Sequence, residues 1–305
     1  MKVAFYTLGC KVNQNETGAL AQLFYENGFE PAPDGGEADV YIVNSCTVTA
    51  GGDKKSRQWL RRAKRRNPGA VTVLTGCFPQ AFPGEALAVE EADIITGSGA
   101  RRRVLDNVLR FLQEGGRIVD IAPHEKSERF EELPMERLEG HTRAFMKIED
   151  GCNRRCAYCV IPRARGSVRS RAEESILGEL AALAKGGYAE VVFSGINLSS
   201  YGRDTGTDLA EIVEKAAQVP GIRHSPGSLE PDLMTEEMTS HGTRSGFVPS
   251  IPPFAAKRLR RHAAAHAPHL RHRGLPRSGG KLRPRSGRVF HHGRHRGFPA
   301  RPRRI

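Results

Sequence analysis

Residues Gly151–Arg171 read GCNRRCAYCVIPRARGSVRSR and contain three cysteines spaced C-x3-C-x2-C, namely Cys152, Cys156 and Cys159. A disulfide would use only two of these thiols, whereas a loop that wraps around a metal centre can use all three. Zinc usually takes four ligands that include paired C-x2-C units, and iron–sulfur clusters are held by closely spaced cysteines. The spacing therefore favours a cluster with one open iron over a structural zinc site or unrelated buried cysteines.

The other three cysteines each follow a predicted strand. Short apolar runs rich in β-branched and aromatic residues predict these strands, at Val3–Leu8, Asp39–Ser45 and Ala70–Gly76. The cysteines that follow them are Cys10, Cys46 and Cys77. Ligands of open parallel sheets bind at the carboxyl ends of the strands. We interpret the three thiols as a second set of cluster ligands at that edge, the alternative being ordinary small buried residues.

Two asparagines and two glycines accompany these cysteines. Asn13 and Asn44 lie close to Cys10 and Cys46, where they either hydrogen-bond the cluster sulfurs or strand-end loops, or serve as turn residues. Gly9 and Gly76 each precede a cysteine, which suits a close approach of backbone to a bulky cluster.

The first 122 residues alternate between strand and helix. Helical periodicity and end signals predict helices at Glu16–Asn27, Lys54–Arg66 and Val104–Leu112, with a fourth strand at Asp93–Gly97. This alternation favours a parallel sheet with right-handed crossovers. We expect an α/β fold whose amino-terminal domain, residues 1–122, is an open parallel sheet.

Residues 143–237 are expected to form the first part of a β/α barrel, in which chemistry takes place at the carboxyl ends of the strands. The predicted elements are strands at Arg143–Asp150 and Glu190–Gly195 and helices at Ala172–Lys185 and Leu209–Gln218. Residues 123–142 are charged and poor in apolar side chains, so we expect them to be a linker. Pro226 is expected to interrupt the next strand, because proline donates no ladder hydrogen bond.

The net charge of +13 is concentrated in residues 238–305, which hold 17 Lys and Arg, 8 His and no Asp or Glu. The preceding residues hold 30 basic and 34 acidic side chains. The segment buries little apolar surface and is expected to be a disordered, low-complexity tail. It is either a basic arm that binds nucleic acid by counterion release or a shifted reading frame in a GC-rich gene. We favour the frameshift, since one codon choice for Ala300–Arg304 encodes Glu-Thr-Glu-Glu in the adjacent frame.

The use of cysteine also bears on the compartment. Six cysteines without a secretory signal are typical of metal or redox chemistry in a reducing cytosol. No apolar run approaches membrane-spanning length. We therefore expect a cytoplasmic protein that does not bind a membrane.

The C-x3-C-x2-C motif, with Tyr158 before its last cysteine, resembles the radical S-adenosylmethionine (SAM) enzymes. With the upstream cysteines included, the strings GCKVNQNE, VNSCTVT and GCNRRCAYCVIPRARGSVRSR are similar to the methylthiotransferases of that superfamily. They look most like the branch that acts on N6-threonylcarbamoyladenosine in tRNA. The resemblance covers residues 1–237; beyond them the family continues with further β/α units and a small RNA-binding β-barrel.

The resemblance implies two [4Fe–4S] clusters, one on Cys10, Cys46 and Cys77 and a SAM-binding one on Cys152, Cys156 and Cys159. It implies insertion of a methylthio group at C2 of N6-threonylcarbamoyladenosine, next to the anticodon. The implied partners are the tRNA substrate and an electron donor such as flavodoxin or ferredoxin. The expected SAM contacts are Tyr158, Gly195, Asn197 and Glu230. Alternatively, Gly195 and Asn197 form a turn and Glu230 is a surface carboxylate.

Other interpretations stay open at this point. The chain is alternatively a non-catalytic iron–sulfur or tRNA-binding remnant, or a zinc-stabilised basic nucleic-acid-binding protein. A barrel cut after about three strands leaves an open edge, so activity is a separate question from family. The basic run Arg163, Arg165, Arg169 and Arg171 either contacts RNA phosphates or pairs with carboxylates.

Overall fold

The computed structural model describes residues 1–33, 35–48, 51–125, 128–133, 143–154, 156–227 and 229. Its first part is a six-stranded parallel sheet in the order β2-β1-β3-β4-β5-β6. The strands are β1 (Lys2–Thr7), β2 (Glu30–Pro31), β3 (Val40–Ser45), β4 (Val71–Gly76), β5 (Ile94–Thr96) and β6 (Ile118–Asp120). The helices are α1 (Lys11–Glu26), α2 (Gly52–Arg66), α3 (Cys77–Ala81), α4 (Pro83–Leu87) and α5 (Arg102–Glu114).

Helices cover both faces of this sheet, and β3 and β4 are therefore buried along their whole length. Alternate side chains of a strand point to opposite faces. Ile42 and Val73 pack with Leu20 and Phe24 of α1, whereas Val43 packs with Leu60 of α2 and other residues of the opposite face. This sandwich of helices around a parallel sheet is the predicted open α/β arrangement.

The second part contains a three-stranded parallel sheet in the order β11-β10-β7. Its elements are β7 (Arg143–Lys147), β8 (Glu149–Asp150), α6 (Ile161–Arg165), β9 (Arg169–Ser170), α7 (Glu173–Lys185), β10 (Glu190–Ser194), α8 (Leu209–Ala216) and β11 (Arg223–Pro226). Met146 and Phe193 of the sheet are fully buried against Leu180 of α7 and Ile212 of α8. The order of strands and helices is that of the opening units of a β/α barrel.

Two details differ from the sequence predictions. The expected strand Arg143–Asp150 is two strands, because Ile148 accepts a hydrogen bond from Arg171 N–H and the chain then turns to pair β8 with β9. Pro226 does not prevent the next strand: it is the last residue of β11 and lies beside Phe193 in register. β11 is an edge strand in this sheet, where a missing N–H is tolerated.

Several short elements were not predicted, since runs of two to five residues carry little periodic signal. They are β2, β6, α3, α4, α6 and β9. Residues 121–125 and 128–133 contain neither helix nor strand. Glu230 and residues 238–305 lie outside the described residues. Within the described part of the chain, no helix is long and apolar enough to cross a membrane.

Candidate cluster sites at two sheet edges

The carboxyl ends of β1, β3 and β4 carry the first three cysteines. The ends are aligned, because Thr7 lies beside Asn44 and Ser45 beside Gly76 in the parallel register. Cys10 precedes α1 and is exposed, Cys46 follows β3, and Cys77 begins α3. Cys46 and Cys77 are buried. The sheet therefore brings three sequence-distant thiols to one rim.

Gly9 lets the first strand end approach the second. Its φ is +102°, which is strained for a residue with a side chain. A Cβ atom at this position would lie 2.6 Å from Cys46 Cβ and 2.7 Å from Cys46 Sγ. Glycine is thus required here for both conformation and space.

Asn13 joins the three strand ends. Its Nδ2 donates to Leu8 O at 2.8 Å and to Ser45 O at 2.9 Å, the carbonyls just before Gly9 and Cys46. Its Oδ1 lies 3.8 Å from Cys10 Sγ and 4.0 Å from Cys77 Sγ. Asn13 is itself fully buried. The side chain holds strand-end loops, which is one of the roles expected from the sequence.

Cys152, Cys156 and Cys159 lie in the loop between β8 and α6 and are half-buried. Cys152 N–H donates to Gly166 O, and Cys159 N–H donates to Cys156 O, both at 3.0 Å. Gly151 has a φ of +83°, and a Cβ there would clash with Ser167 O. The loop is therefore folded back on the segment that follows α6.

A buried cluster of charges lies between the two parts of the chain. Glu16 of α1 contacts Arg101 Nη2 at 2.6 Å, Lys147 Nζ at 2.9 Å and Arg165 Nη1 at 2.5 Å. Asp150 contacts Lys147 Nζ at 2.9 Å and Arg165 Nη1 at 3.4 Å. Each of these five side chains is at least nine-tenths buried. We call Glu16, Arg101, Lys147, Asp150 and Arg165 the buried charge cluster.

The pKa values of the two acids reflect this setting. Burial alone would favour their protonated forms. The charges of Arg101, Arg165 and Lys147 outweigh that effect and lower the pKa of Glu16 to about 2. Lys147, Arg165 and Arg169 likewise hold the pKa of Asp150 well below its usual range. Both carboxylates are therefore ionised in the folded protein at neutral pH.

The basic run after the second cysteine loop pairs with carboxylates. Besides Arg165, Arg169 contacts Glu128 at 3.0 Å and Arg171 contacts Glu179 at 2.5 Å. Arg163 donates to Ala81 O at 2.6 Å. Arg165, Arg169 and Arg171 are buried. Of the two roles expected from the sequence, the structure favours carboxylate pairing, and these three arginines do not form an RNA-contacting surface.

The loop after β10 lies beside the second cysteine loop. Asn197 Nδ2 donates toward Cys152 Sγ at 3.7 Å, and Asn197 N–H donates to Glu149 Oε2 at 2.7 Å. A Cβ at Gly195 would lie 2.5 Å from Glu149 Oε2. Two of the expected SAM contacts, Gly195 and Asn197, thus lie at the second cysteine site. Tyr158 is 76% exposed at the rim of its loop.

Glu149 is a functional candidate that the sequence predictions missed. Burial raises its pKa to about 8, against the opposing effects of Asn197 N–H and Lys147. Its Oε1 and the Oδ1 of Asn197 are buried and have no hydrogen-bond partner among the described residues. A protonated carboxyl and an amide oxygen are therefore available to polar groups of a bound molecule. Its position next to Asp150 and before the cysteine loop was the only sequence signal.

The donor set fits thiolate ligation of iron–sulfur clusters. Arg165 Nε donates to Cys77 Sγ at 3.2 Å, and Asn197 approaches Cys152 Sγ, so each triplet has an N–H donor on one sulfur. Such hydrogen bonds stabilise thiolate and cluster sulfur. In the part of the chain that the structure describes, no three His, Cys, Asp or Glu side chains converge tightly enough for a single metal ion.

Comparisons with known proteins bear on both parts. The uncharacterized protein family UPF0004 matches residues 2–97, and the radical SAM superfamily matches residues 146–261, past the predicted barrel limit at residue 237. The threonylcarbamoyladenosine tRNA methylthiotransferase MtaB of Bacillus subtilis is 41% identical over 241 residues, which are 77% of this chain and 53% of that protein. This chain belongs to the radical SAM methylthiotransferase family.

Two further relatives have similar identity and coverage. MtaB of Aquifex aeolicus is 39% identical over 222 residues, 73% of this chain and 54% of that protein. The tRNA-2-methylthio-N(6)-dimethylallyladenosine synthase of Thermotoga petrophila is 36% identical over 228 residues, 73% of this chain and 50% of that protein. The chain spans about half the length of the curated relatives it matches.

A solved structure shares the fold. The radical SAM methyltransferase TsrM from Kitasatospora setae, solved with cobalamin and a [4Fe–4S] cluster, superposes with a TM-score of 0.56 over 81% of this chain and 59% of that chain. The sequences are 14% identical, so the likeness shows the fold alone. It confirms the predicted α/β fold class, with a second parallel sheet that matches part of the radical SAM fold.

Replacing Glu16 tests the buried charge cluster. Glu16→Gln leaves Arg101, Lys147 and Arg165 with one buried carboxylate fewer, so we expect the free energy of unfolding in urea to fall by about 3–5 kcal/mol. Glu91→Gln is the matched control, because it removes an exposed pair with Arg61 and should cost ~0–1 kcal/mol. Equal effects of the two substitutions would contradict the importance of the cluster.

Glu149 should make stability depend on pH. The unfolded chain releases this proton near the ordinary pKa of 4.5, whereas the folded protein keeps it to about pH 8. Rising pH between these values therefore favours the unfolded state, by up to about 1.4 kcal/mol per pH unit. We expect Glu149→Gln to gain stability over the parent chain as pH rises from 5 to 8, measured by urea unfolding. Parallel stability curves for the two chains would refute the raised pKa.

Proposed function

We propose that this chain carries the two cluster sites of a tRNA methylthiotransferase that inserts a methylthio group at C2 of N6-threonylcarbamoyladenosine, next to the anticodon. The observation that carries the proposal is a contact between the two cysteine regions: Arg165 of α6, the helix that follows the second cysteine loop, donates to Cys77 of the first triplet. A reaction in which one cluster site activates a carbon atom and the other supplies the sulfur needs two such sites side by side.

Each triplet has its own role in this proposal. Cys10, Cys46 and Cys77 hold one [4Fe–4S] cluster, and Cys152, Cys156 and Cys159 hold the other, at which SAM binds. When bound, these groups supply the electron, the 5′-deoxyadenosyl radical, the sulfur and the methyl group of the reaction. Asn197, Gly195 and Tyr158 line the second site, and Asn197 is placed to orient Cys152 Sγ. Glu230 remains a further expected SAM contact.

The exposed side of α2 offers a surface for the tRNA. Lys54, Lys55, Arg62 and Arg65 are exposed, and none pairs with a carboxylate of the described residues, unlike their neighbours Arg57, Arg61 and Lys64. From Lys55 to Arg65 the stripe is about 15 Å long at 1.5 Å per residue. Helix α2 begins six residues after Cys46 in the sequence.

The proposed partners are the tRNA substrate, bound through phosphates, and a flavodoxin or ferredoxin as electron donor, in the cytoplasm. The threonylcarbamoyladenosine specificity is taken from the MtaB relatives, whose names state that substrate. Because the chain spans about half of their length, activity of this chain is part of the proposal.

Anaerobic reconstitution with iron and sulfide separates the two sites. We expect the parent chain to bind roughly eight iron atoms, four per cluster, and to cleave SAM on reduction. Replacing Cys152, Cys156 and Cys159 by Ala should halve the iron and abolish cleavage. Replacing Cys10, Cys46 and Cys77 by Ala should halve the iron and leave cleavage in place.

Two other results would point to the alternatives. Iron at the first triplet alone, with no SAM cleavage by the parent chain, would favour a non-catalytic remnant. Stoichiometric zinc that needs no sulfide would favour a zinc-stabilised nucleic-acid-binding protein. Either result contradicts the methylthiotransferase proposal for this chain.

Single alanine substitutions test the α2 stripe. Each of Lys55→Ala, Arg62→Ala and Arg65→Ala should weaken tRNA binding and reduce the slope of log affinity against log salt by about 1, the signature of one lost phosphate contact. Arg110→Ala is the control, since Arg110 is an exposed arginine of α5 on the opposite face of the sheet. An unchanged slope in all three α2 variants would exclude this surface.

A further inference from the structure

Arg165 uses every one of its donors. The guanidinium has five N–H groups, and five contacts are present. Nε donates to Cys77 Sγ at 3.2 Å, Nη1 donates to Glu16 Oε1 at 2.5 Å and Asp150 Oδ2 at 3.4 Å, and Nη2 donates to Glu16 Oε2 at 3.0 Å and to Asn13 Oδ1. The side chain is fully buried. Its position is thus fixed from all sides.

The two carboxylates do not depend on Arg165 for a counter-charge. Glu16 is also paired with Arg101 and Lys147. Asp150 is also paired with Lys147 and with Arg169, at 3.5 Å. A salt-bridge role alone therefore leaves the contact with Cys77 unexplained. Glu16 and Asp150 instead aim the guanidinium, whose remaining edge faces the first cysteine triplet.

We propose that Arg165, carried by the segment that follows the second cysteine loop, is a positioning residue for the first triplet. It holds Cys77 Sγ through Nε–H and supports Asn13, which in turn ties the loops before Cys10 and Cys46. The inference rests on the proposed function, since a cluster has to occupy the first triplet. It adds to that function a residue from one site that shapes the other.

The role predicts a property of the first cluster that can be measured. Hydrogen bonds to ligand sulfur and nearby positive charge stabilise the reduced form, which carries one more negative charge, and so raise the reduction potential. Arg165 supplies both effects at Cys77. Its loss should shift the midpoint potential of the first cluster to more negative values and lower the amount of iron retained there.

The experiment uses the full chain with Cys152, Cys156 and Cys159 replaced by Ala, so that iron is held by the first triplet alone. In this background Arg165→Lys keeps a positive charge but cannot reproduce five directed donors. The double substitution Glu16→Gln with Arg165→Gln removes one negative and one positive charge together, so the net charge of the cluster is unchanged. Arg163→Lys is the control from the same helix, because Arg163 contacts Ala81 O and the Phe82 ring instead of a cysteine.

The midpoint potential is measured by redox titration followed by electron paramagnetic resonance (EPR), together with iron per folded chain. We expect a more negative potential in Arg165→Lys, a larger shift or loss of iron in the double variant, and no change in Arg163→Lys. Parent-like potential and iron content in both Arg165 variants would overturn the inference while leaving the proposed function intact. Failure of the background chain itself to bind a cluster would overturn both.

Discussion

The buried contacts of Glu16 with Arg101, Lys147 and Arg165 are the constraint on which the relation of the two halves depends. Removing an ion from water costs several kcal/mol even after relaxation, and here five charged side chains are removed together. That cost is offset only when the carboxylates and their cations meet in one arrangement. Since Glu16 belongs to α1 and Lys147 and Arg165 belong to the second part, this arrangement fixes how the first sheet meets the second.

The same contacts explain why the cysteine sites lie close together. Parallel strands place their carboxyl ends at one edge, where the first triplet lies, and the second cysteine loop follows β8, shortly after the end of β7. Apolar packing helps, because Cys77 and Ala81 of α3 lie against Ala164 of α6. The charge cluster adds direction, since Arg165 is held by acids from both halves and points to Cys77. Apolar packing and the buried charges therefore both hold α6 of the second part against the first cysteine triplet.

Much of this arrangement could be predicted from the sequence, because strand and helix patterns are local. The positions of Cys10, Cys46 and Cys77 after strands, with Gly9 beside them, followed from such patterns. The charge cluster did not. Glu16 lies on a helix with Asn13 and Asn15, where polar residues usually face solvent, and the arginine run allowed two interpretations. Pairing across 131 to 149 residues of sequence leaves no periodic signal, and Glu149 differs from an exposed glutamate only in what surrounds it.

The account depends most on the two cluster sites being neighbours, with Arg165 between them. The most direct measurement is EPR of the fully reconstituted and reduced chain, compared with the sum of spectra from the two triple-alanine variants. If the clusters are neighbours across Arg165, their spins should couple, and the parent spectrum should be broadened and relax faster than that sum. A parent spectrum equal to the sum, with unchanged relaxation, would contradict the claim.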